Sequence, residues 1–520
     1  TLLMSAASLA RYDALPYHSA PYAETHPRSL RTIAALHGLD APSLATARVL
    51  ELGCASGGNL IPIAEEAPRA TFLGIDLSAR HIEEARTRVS QLALANIEFR
   101  QQSLLDLDGG DGEFDYIIAH GLFSWVPEEV RTRILQLCSE LLSPCGVAVV
   151  SYNAYPGCHA RDQVRAMMQY HTAGIDDPQQ QIDEAKSMLQ FMIEHGKKNS
   201  AHRAMLVETL ELLKAANNKS YFYHDFLEDH NQPFYFHQFD ALLQRRQLQV
   251  LAETRLFRWQ TFDLEPAAAV QFADLPYAQR EQYLDFLRNT PFHSHAVCRA
   301  DLPIDRDSIV QRMDDMHFQW KFECRQLPQR PNPGEMLVFH GKRMKYATAS
   351  AVGQQALIAL GAQPARCQSF SELLELCRRN MRIESSAEAL VRQELRIELY
   401  RAVGHDLLEV YCEPPSYQWS IPALPKVANN ARLQAAHGSV VTNRCHRYVR
   451  FDDLGRYLLL YLDGRHDRDA LCRRVEEGIA DGRILLATDS EGRPKLSPAG
   501  LPGLIDETLA AVNNSAMLIS

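Results

Sequence analysis

Five short apolar runs, each closed by a turn, constrain this 520-residue chain more than any other feature. They lie at residues 48–53 (R-V-L-E-L-G), 71–76 (T-F-L-G-I-D), 96–100, 116–120 and 147–152. Helical periods separate them. Ile82, Ala85, Val89 and Leu92 recur at helix spacing behind Ser78, a good N-cap residue. Val130, Ile134, Leu137, Cys138 and Leu141 form a second stripe, with Pro127 at a first-turn position. Strands alternating with helices predict βαβ units and a parallel sheet. Ligands of such sheets sit at the carboxyl ends of the strands.

The loop after the first run is E-L-G-C-A-S-G-G-N, residues 51–59. Gly53 suits a sharp strand-to-helix turn, and Gly57 and Gly58 let backbone approach a ligand. Against G-x-G-x-x-G, the middle glycine is replaced by Ala55. A pyrophosphate needs that glycine for close approach, whereas a ligand without one does not. Glu51 suits a cationic ligand better than a dinucleotide. Asp76 ends the second run, where a carboxylate holds ribose hydroxyls. Taken alone, the loop also reads as an ordinary strand-to-helix turn.

With these features in this order, the chain resembles class I S-adenosylmethionine (SAM) methyltransferases. The resemblance implies SAM as cofactor. It places Glu51, Gly53, Ala55, Gly57 and Asn59 around the methionine moiety and Asp76 with Leu77 at the ribose. Adenine would lie against Ser103 and Leu104, although Gln102, Ser103 and Leu104 depart from the usual Gly-Asp-hydrophobic triplet. Residues 114–121 (F-D-Y-I-I-A-H-G) match the strand-four motif and put His120, chiefly through its backbone carbonyl, near the transferable methyl.

Four further strings narrow the family: 12–19 (Y-D-A-L-P-Y-H-S), 25–27 (T-H-P), 121–127 (G-L-F-S-W-V-P) and 151–157 (S-Y-N-A-Y-P-G). They resemble methyltransferases with a methyltransferase regulatory domain, a group that includes bacterial lysine methyltransferases of outer-membrane proteins. The likeness is strong over residues 11–157, moderate over 220–300 and loose beyond 340. It implies a protein acceptor, chiefly lysine amines. Tyr12, Tyr17, Asn153 and Tyr155 are the implied catalytic residues, because their oxygens and rings would orient an amine in a dry pocket that lowers its pKa. Cys158 stands where the resemblance implies an aromatic residue.

The fold expected is α/β: a Rossmann-like class I methyltransferase sheet with a helical insertion, plus α+β winged-helix-like C-terminal modules. The expected boundaries are 1–157 for the SAM-binding core, 158–245 for the insertion and 246–331 for a sheet-closing and regulatory region. Residues 335–425 form one winged-helix-like module and 426–520 a last helical or winged-helix-like one. Residues 248–253 and 296–299 read as the closing strands, and 336–346 as a hairpin. Met167, Met168, Met188 and Met192 read as adaptable packing. Residues 221–239 are dense in aromatics and histidine. His224, His230 and His237 lack the i, i+4 spacing of a helical zinc pair, so packing and no metal are expected.

The net charge of −10 argues for protein docking over nucleic acid at the C-terminal modules. No apolar run reaches the ~18 residues of a membrane helix, so no membrane insertion is expected. Eleven cysteines without CxxC spacing suggest reduced thiols in a cytoplasm. The C-terminal half is expected to choose the acceptor and not to hold SAM. The oligomeric state is not legible. Two alternatives stay open: an acceptor that is a peptide or small-molecule nucleophile, and a SAM-binding regulatory scaffold with little turnover.

Overall fold

The computed structural model describes residues 19–216, 219–259, 266–272, 274–321, 330–332, 334–341, 344–484 and 500–519. Tyr12 and Tyr17 lie outside the described residues. The apolar runs become β1 (Arg48–Leu52), β2 (Thr71–Asp76), β3 (Ile97–Gln101), β4 (Phe114–Ala119) and β5 (Leu142–Asn153). Two later strands, β6 (Leu248–Glu253) and β7 (Phe292–Arg299), complete a seven-stranded sheet of order β3-β2-β1-β4-β5-β7-β6. The first five strands are parallel, and β7 runs antiparallel to both β5 and β6.

Alternation along the strands sends neighbouring side chains to opposite faces. Val49, Phe72, Tyr116 and Val147 join one buried cluster, while Leu50, Leu73, Ile117 and Ala148 join another. Both faces are therefore covered, which is why the runs read as nearly continuous apolar sequence. Helices α1 (Pro27–Leu36), α2 (Leu60–Glu66), α3 (Ala79–Leu92) and α4 (Glu128–Leu141) supply the cover around the parallel strands. Ser78 caps α3 by accepting from the His81 amide at 3.2 Å. Pro127 is the N-cap of α4, one position before the predicted first turn.

Between β5 and β6 the chain builds α5 (Cys158–Thr172), α6 (Pro178–His195), α7 (Ala201–Ala216), α8 (Lys219–Phe226) and α9 (Phe236–Gln244). The first four share a core of their own, with Met168, Leu189, Leu206 and Phe222 buried and Met167, Met188 and Met192 packed on it. Helix α9 instead packs on the main sheet through Phe236 and Phe239.

Further along, strands Gln368–Ser369, His317–Trp320 and Leu408–Tyr411 form a small sheet against helices Ala351–Ala362, Phe370–Met381 and Glu388–Gly404. The predicted hairpin appears as strands Leu337–His340 and Lys345–Thr348. The last module packs helices Asn429–His437, Asp453–Tyr461, Arg468–Ala480 and Leu501–Asn514 beside a hairpin of Val440–Thr442 and Tyr448–Arg450. Among the described residues, no helix is long and apolar enough to cross a membrane.

Candidate active site

A cavity of about 540 Å³ opens at the carboxyl ends of β1, β2, β4 and β5. One end is built from loops of the sheet. Gly53 leaves β1 at φ +74°, and its amide and that of Cys54 both reach the Ile75 carbonyl, at 2.8 and 3.1 Å. The turn thus clasps the neighbouring strand. Ala55, at the place of the missing glycine, takes φ +45°. Its amide donates to Asp76 Oδ2 at 2.8 Å, while Asp76 Oδ1 accepts from the Ser78 amide at 2.9 Å. Each carboxylate oxygen keeps acceptor capacity for a ligand hydroxyl.

Glu51 is buried in the cavity wall. Its Oε1 accepts from Asn59 Nδ2 at 2.7 Å, and its Oε2 has no hydrogen-bond partner among the described residues. Burial pushes this carboxyl up to about 8, against the pull of the Asn59 bond. His120 faces the same space, with its ring centroid 4.2 Å from that of Tyr22 and 6.0 Å from that of Phe292. Burial lowers its pKa, so the imidazole is neutral.

Of the expected SAM contacts, Glu51, Gly53, Ala55, Asn59, Asp76, Leu77, Ser103, Leu104 and His120 all line the cavity. Gly57 does not. A Cβ there would sit 2.6 Å from the Phe99 ring and 2.9 Å from Ile61, so this glycine serves the packing under the loop. Asn153 lines the cavity as expected. Tyr155 does not: its ring stacks on His159 and its hydroxyl donates to Asp162 Oδ2 at 2.8 Å. Its link to Asn153 is indirect. Asp162 Oδ1 accepts from Asn231 Nδ2 at 3.1 Å, and Asn231 Oδ1 accepts from Asn153 Nδ2 at 2.7 Å. A carboxylate only accepts, so Asp162 fixes the orientation of both amides. Cys158 is buried, with its thiol on the Pro291 carbonyl at 3.1 Å, outside the lining.

The far end of the cavity is walled by Trp125 and Glu129 from the sheet side and by Arg161, Tyr221, His224 and Asp225 from the insertion. Sequence reasoning missed these as site residues. The aromatic run that carries Tyr221, His224 and Asp225 was one available signal, and it read as packing; the string 121–127, which carries Trp125, was another. Burial raises Asp225 to about 6, although Arg161, 3.3 Å from Oδ1, opposes the rise. The histidines of that run do not gather: His224 pairs with Glu228 at 3.6 Å, and His237 Nδ1 meets Gln282 Oε1 at 2.8 Å.

A cluster of Glu253, His293 and His295 has potential ligand atoms within 4.8 Å of one another. His293 there bridges two carboxylates, Glu253 at 2.9 Å and Asp285 at 2.8 Å. Burial disfavours its charge, but these two bonds lift it to about 9. Both ring nitrogens of His293 are thus engaged by carboxylates.

Three family models match the chain: a methyltransferase domain over residues 49–146, a predicted methyltransferase regulatory domain over 218–299, and the PKMT C-terminal winged helix domain over 424–517. The uncharacterized protein RP789 of Rickettsia prowazekii is 31% identical over 495 residues, covering 92% of this chain and 88% of that protein. The structure of PKMT2 from Rickettsia typhi superposes with a TM-score of 0.87 at 27% identity, covering 97% of this chain and 100% of that one. The structure of the same enzyme in complex with AdoHcy gives 0.86 at 28% identity, with the same coverage. The chain belongs to the class I SAM-dependent methyltransferases of the PKMT type. In this methyltransferase the last module, residues 424–517, is the winged helix. Its hairpin loop does not stand free. His446 Nε2 lies 2.7 Å from Asn59 Oδ1, and the Tyr448 hydroxyl donates to the Ser19 carbonyl at 2.9 Å. The winged helix therefore touches the end of the glycine loop at Asn59.

Proposed function

We propose that this methyltransferase transfers the methyl group of SAM to lysine side-chain amines of a protein acceptor. The orphaned Glu51 Oε2 fits the cationic amino group of SAM, and Asp76 fits its ribose. Gly53, Ala55, Asn59 and Leu77 would frame the rest of the donor, with Ser103 and Leu104 at the adenine. SAM, when bound, supplies a methyl group already activated on a sulfonium.

The protein's own part is to position the acceptor and exclude water. A lysine ammonium, with a free pKa of ~10.4, must arrive neutral to attack. The observation that carries the lysine reading is the far end of the cavity. Asp225 and Glu129 face it against the single cation Arg161 of that wall, beside the rings of Trp125 and Tyr221. Asp225 would draw the ammonium in, and desolvation against the aromatic walls would favour loss of its proton. Asn153, its Nδ2 spent on Asn231, offers Oδ1 to the incoming amine. The donor end and this acceptor end meet at His120 and Asn153.

A protein acceptor also suits the acidic net charge of −10, which favours a protein over a nucleic-acid partner. The described cysteines are all unbridged thiols, which suits a reducing cytoplasm. Arg161 supports a second reading, an anionic small molecule or peptide carboxylate as acceptor. Incubating the protein and labelled SAM with a lysate separates the two. Mass increments on lysines of protein substrates are expected. Label confined to small molecules would overturn the lysine reading, and no transfer at all would leave a SAM-binding scaffold.

A further inference from the structure

Helix α2 runs from the glycine loop to Glu66, and the winged-helix module holds it at both ends. At its far end, Glu65 accepts from the Asn429 and Asn430 amides at 2.6 and 3.1 Å, at the start of helix Asn429–His437. Glu66 lies 3.6 Å from Arg444. At its near end sit His446 and Tyr448, both from one hairpin. Tyr448 reaches Ser19, whose Oγ accepts from the Gly58 amide at 2.7 Å. His446 reaches Asn59 itself.

The hydrogen-bond directions at Asn59 are determined. Its Oδ1 accepts from the Tyr22 backbone amide at 3.0 Å, which identifies that atom as oxygen. His446 Nε2 must then carry the hydrogen and donate. Asn59 Nδ2 is left pointing at Glu51 Oε1, at 2.7 Å, and Thr25 Oγ1, at 3.1 Å. A flip of this amide would cost the His446 and Tyr22 bonds and turn a carbonyl on the Glu51 carboxyl. His446 is itself over-determined. It takes φ +58° in a turn tied by Asn443, whose Oδ1 accepts from the Cys445 and Arg447 amides. Its ring stands edge-on to His26 at 5.0 Å. Burial, with His26, Arg28 and Arg444 nearby, keeps it uncharged. The groups facing Glu51 are Asn59, Asp76, Cys54 and Tyr22.

We propose that the winged-helix module is a working part of the donor site, with His446 acting as a positioning residue that locks Asn59 and so holds Glu51 ready for the cationic amino group of SAM. Any displacement of the winged helix, by an acceptor or a partner docked on it, would then change SAM affinity without touching the cavity. The inference rests on the reading of this cavity as the SAM site.

The test is calorimetry of SAM and AdoHcy on the full-length chain between pH 6 and 9, beside thermal melting. His446→Ala is expected to weaken SAM binding by on the order of tenfold. It should also move the pH above which SAM binds tightly upward, because Glu51 loses an oriented donor. His446→Asn tolerates the left-handed backbone but is too short to reach Asn59, and it should behave alike even if the alanine variant folds poorly. His446→Gln retains an N–H donor and should recover much of the affinity. A lower melting temperature with wild-type SAM affinity and pH profile in both the alanine and asparagine variants would make His446 merely structural and overturn the proposal. Failure of the wild-type chain to bind SAM would instead overturn the reading of the cavity.

Discussion

Asp76 Oδ2 and the Ala55 backbone nitrogen lie 2.8 Å apart across 21 residues of sequence, so the carboxylate that ends β2 also fastens the loop that follows β1. A single side chain thus shapes one wall of the cavity and offers the contacts expected for a ribose. Asp76→Ala should lose both. SAM affinity should fall by about 1.5–3 kcal/mol or more, the range for hydrogen bonds to a charged acceptor. Asp76→Asn should also bind poorly, since one of its two ends would set an NH2 against a backbone N–H. Calorimetry with SAM checks this, and unchanged affinity in the alanine variant would remove Asp76 from the ribose assignment.

Glu51 gives a signed pH dependence. Its folded-state pKa is raised from the ordinary 4.5 to about 8 by burial, so the folded ligand-free protein holds a proton that the unfolded chain releases. The stability it contributes is full below 4.5 and is lost as pH rises through 8. Glu51→Gln should therefore gain in ligand-free melting temperature relative to wild type between pH 5 and pH 9. The same variant should bind SAM weakly at every pH, whereas wild-type affinity should rise with pH toward 8 and above. Melting curves with and without SAM across that range decide it.

His293, whose side chain is not part of the cavity lining, adds a second alkaline loss. Held between Asp285 and Glu253, it titrates at about 9 in place of 6.5. Its contribution is complete below 6.5 and disappears as pH climbs through 9. His293→Ala should cost about 3–5 kcal/mol near neutral pH, because two buried carboxylates lose their shared partner. Urea denaturation at pH 6, 8 and 10 should show the difference between variant and wild type shrinking.

Asn153 and Tyr155 should separate in kinetics. Asn153→Ala is expected to slow transfer by on the order of tenfold at wild-type SAM affinity. Tyr155→Phe removes only an outer link, the bond to Asp162, and should cost about 1 kcal/mol of stability with a smaller loss of rate. An equal rate loss in the two variants would place Tyr155 at the acceptor after all.

Asp225→Asn tests the acceptor end. The expected result is a KM for a protein substrate raised by on the order of tenfold, with SAM affinity unchanged. Arg161→Gln should leave a lysine acceptor almost unaffected. The opposite pattern, a defect in the arginine variant alone, would favour an anionic acceptor.

The sheet and the loops that line one end of the cavity were legible because their signals are local. A strand buried on both faces is a short apolar run whatever lies beyond it. A left-handed turn at Gly53 and an acid at the end of β2 follow from adjacent residues. The limits of that legibility also have physical causes. Gly57 carries the same steric signature whether its bare face meets a ligand or, as here, the Phe99 ring. Tyr155 sits at the right strand end, but Asp162, one helical segment onward, captures its hydroxyl. Arg161 and Asp225 of the far wall come from α5 and α8, whose approach to the sheet no local pattern records. The contact of His446 with Asn59 spans 387 residues, and neither residue's neighbours announce it. Packing put a neutral imidazole of the winged helix beside the glycine loop, and burial, with the Asp76 charge adding to it, lifted Glu51 to about 8, a property that belongs to the folded chain and to no segment of it.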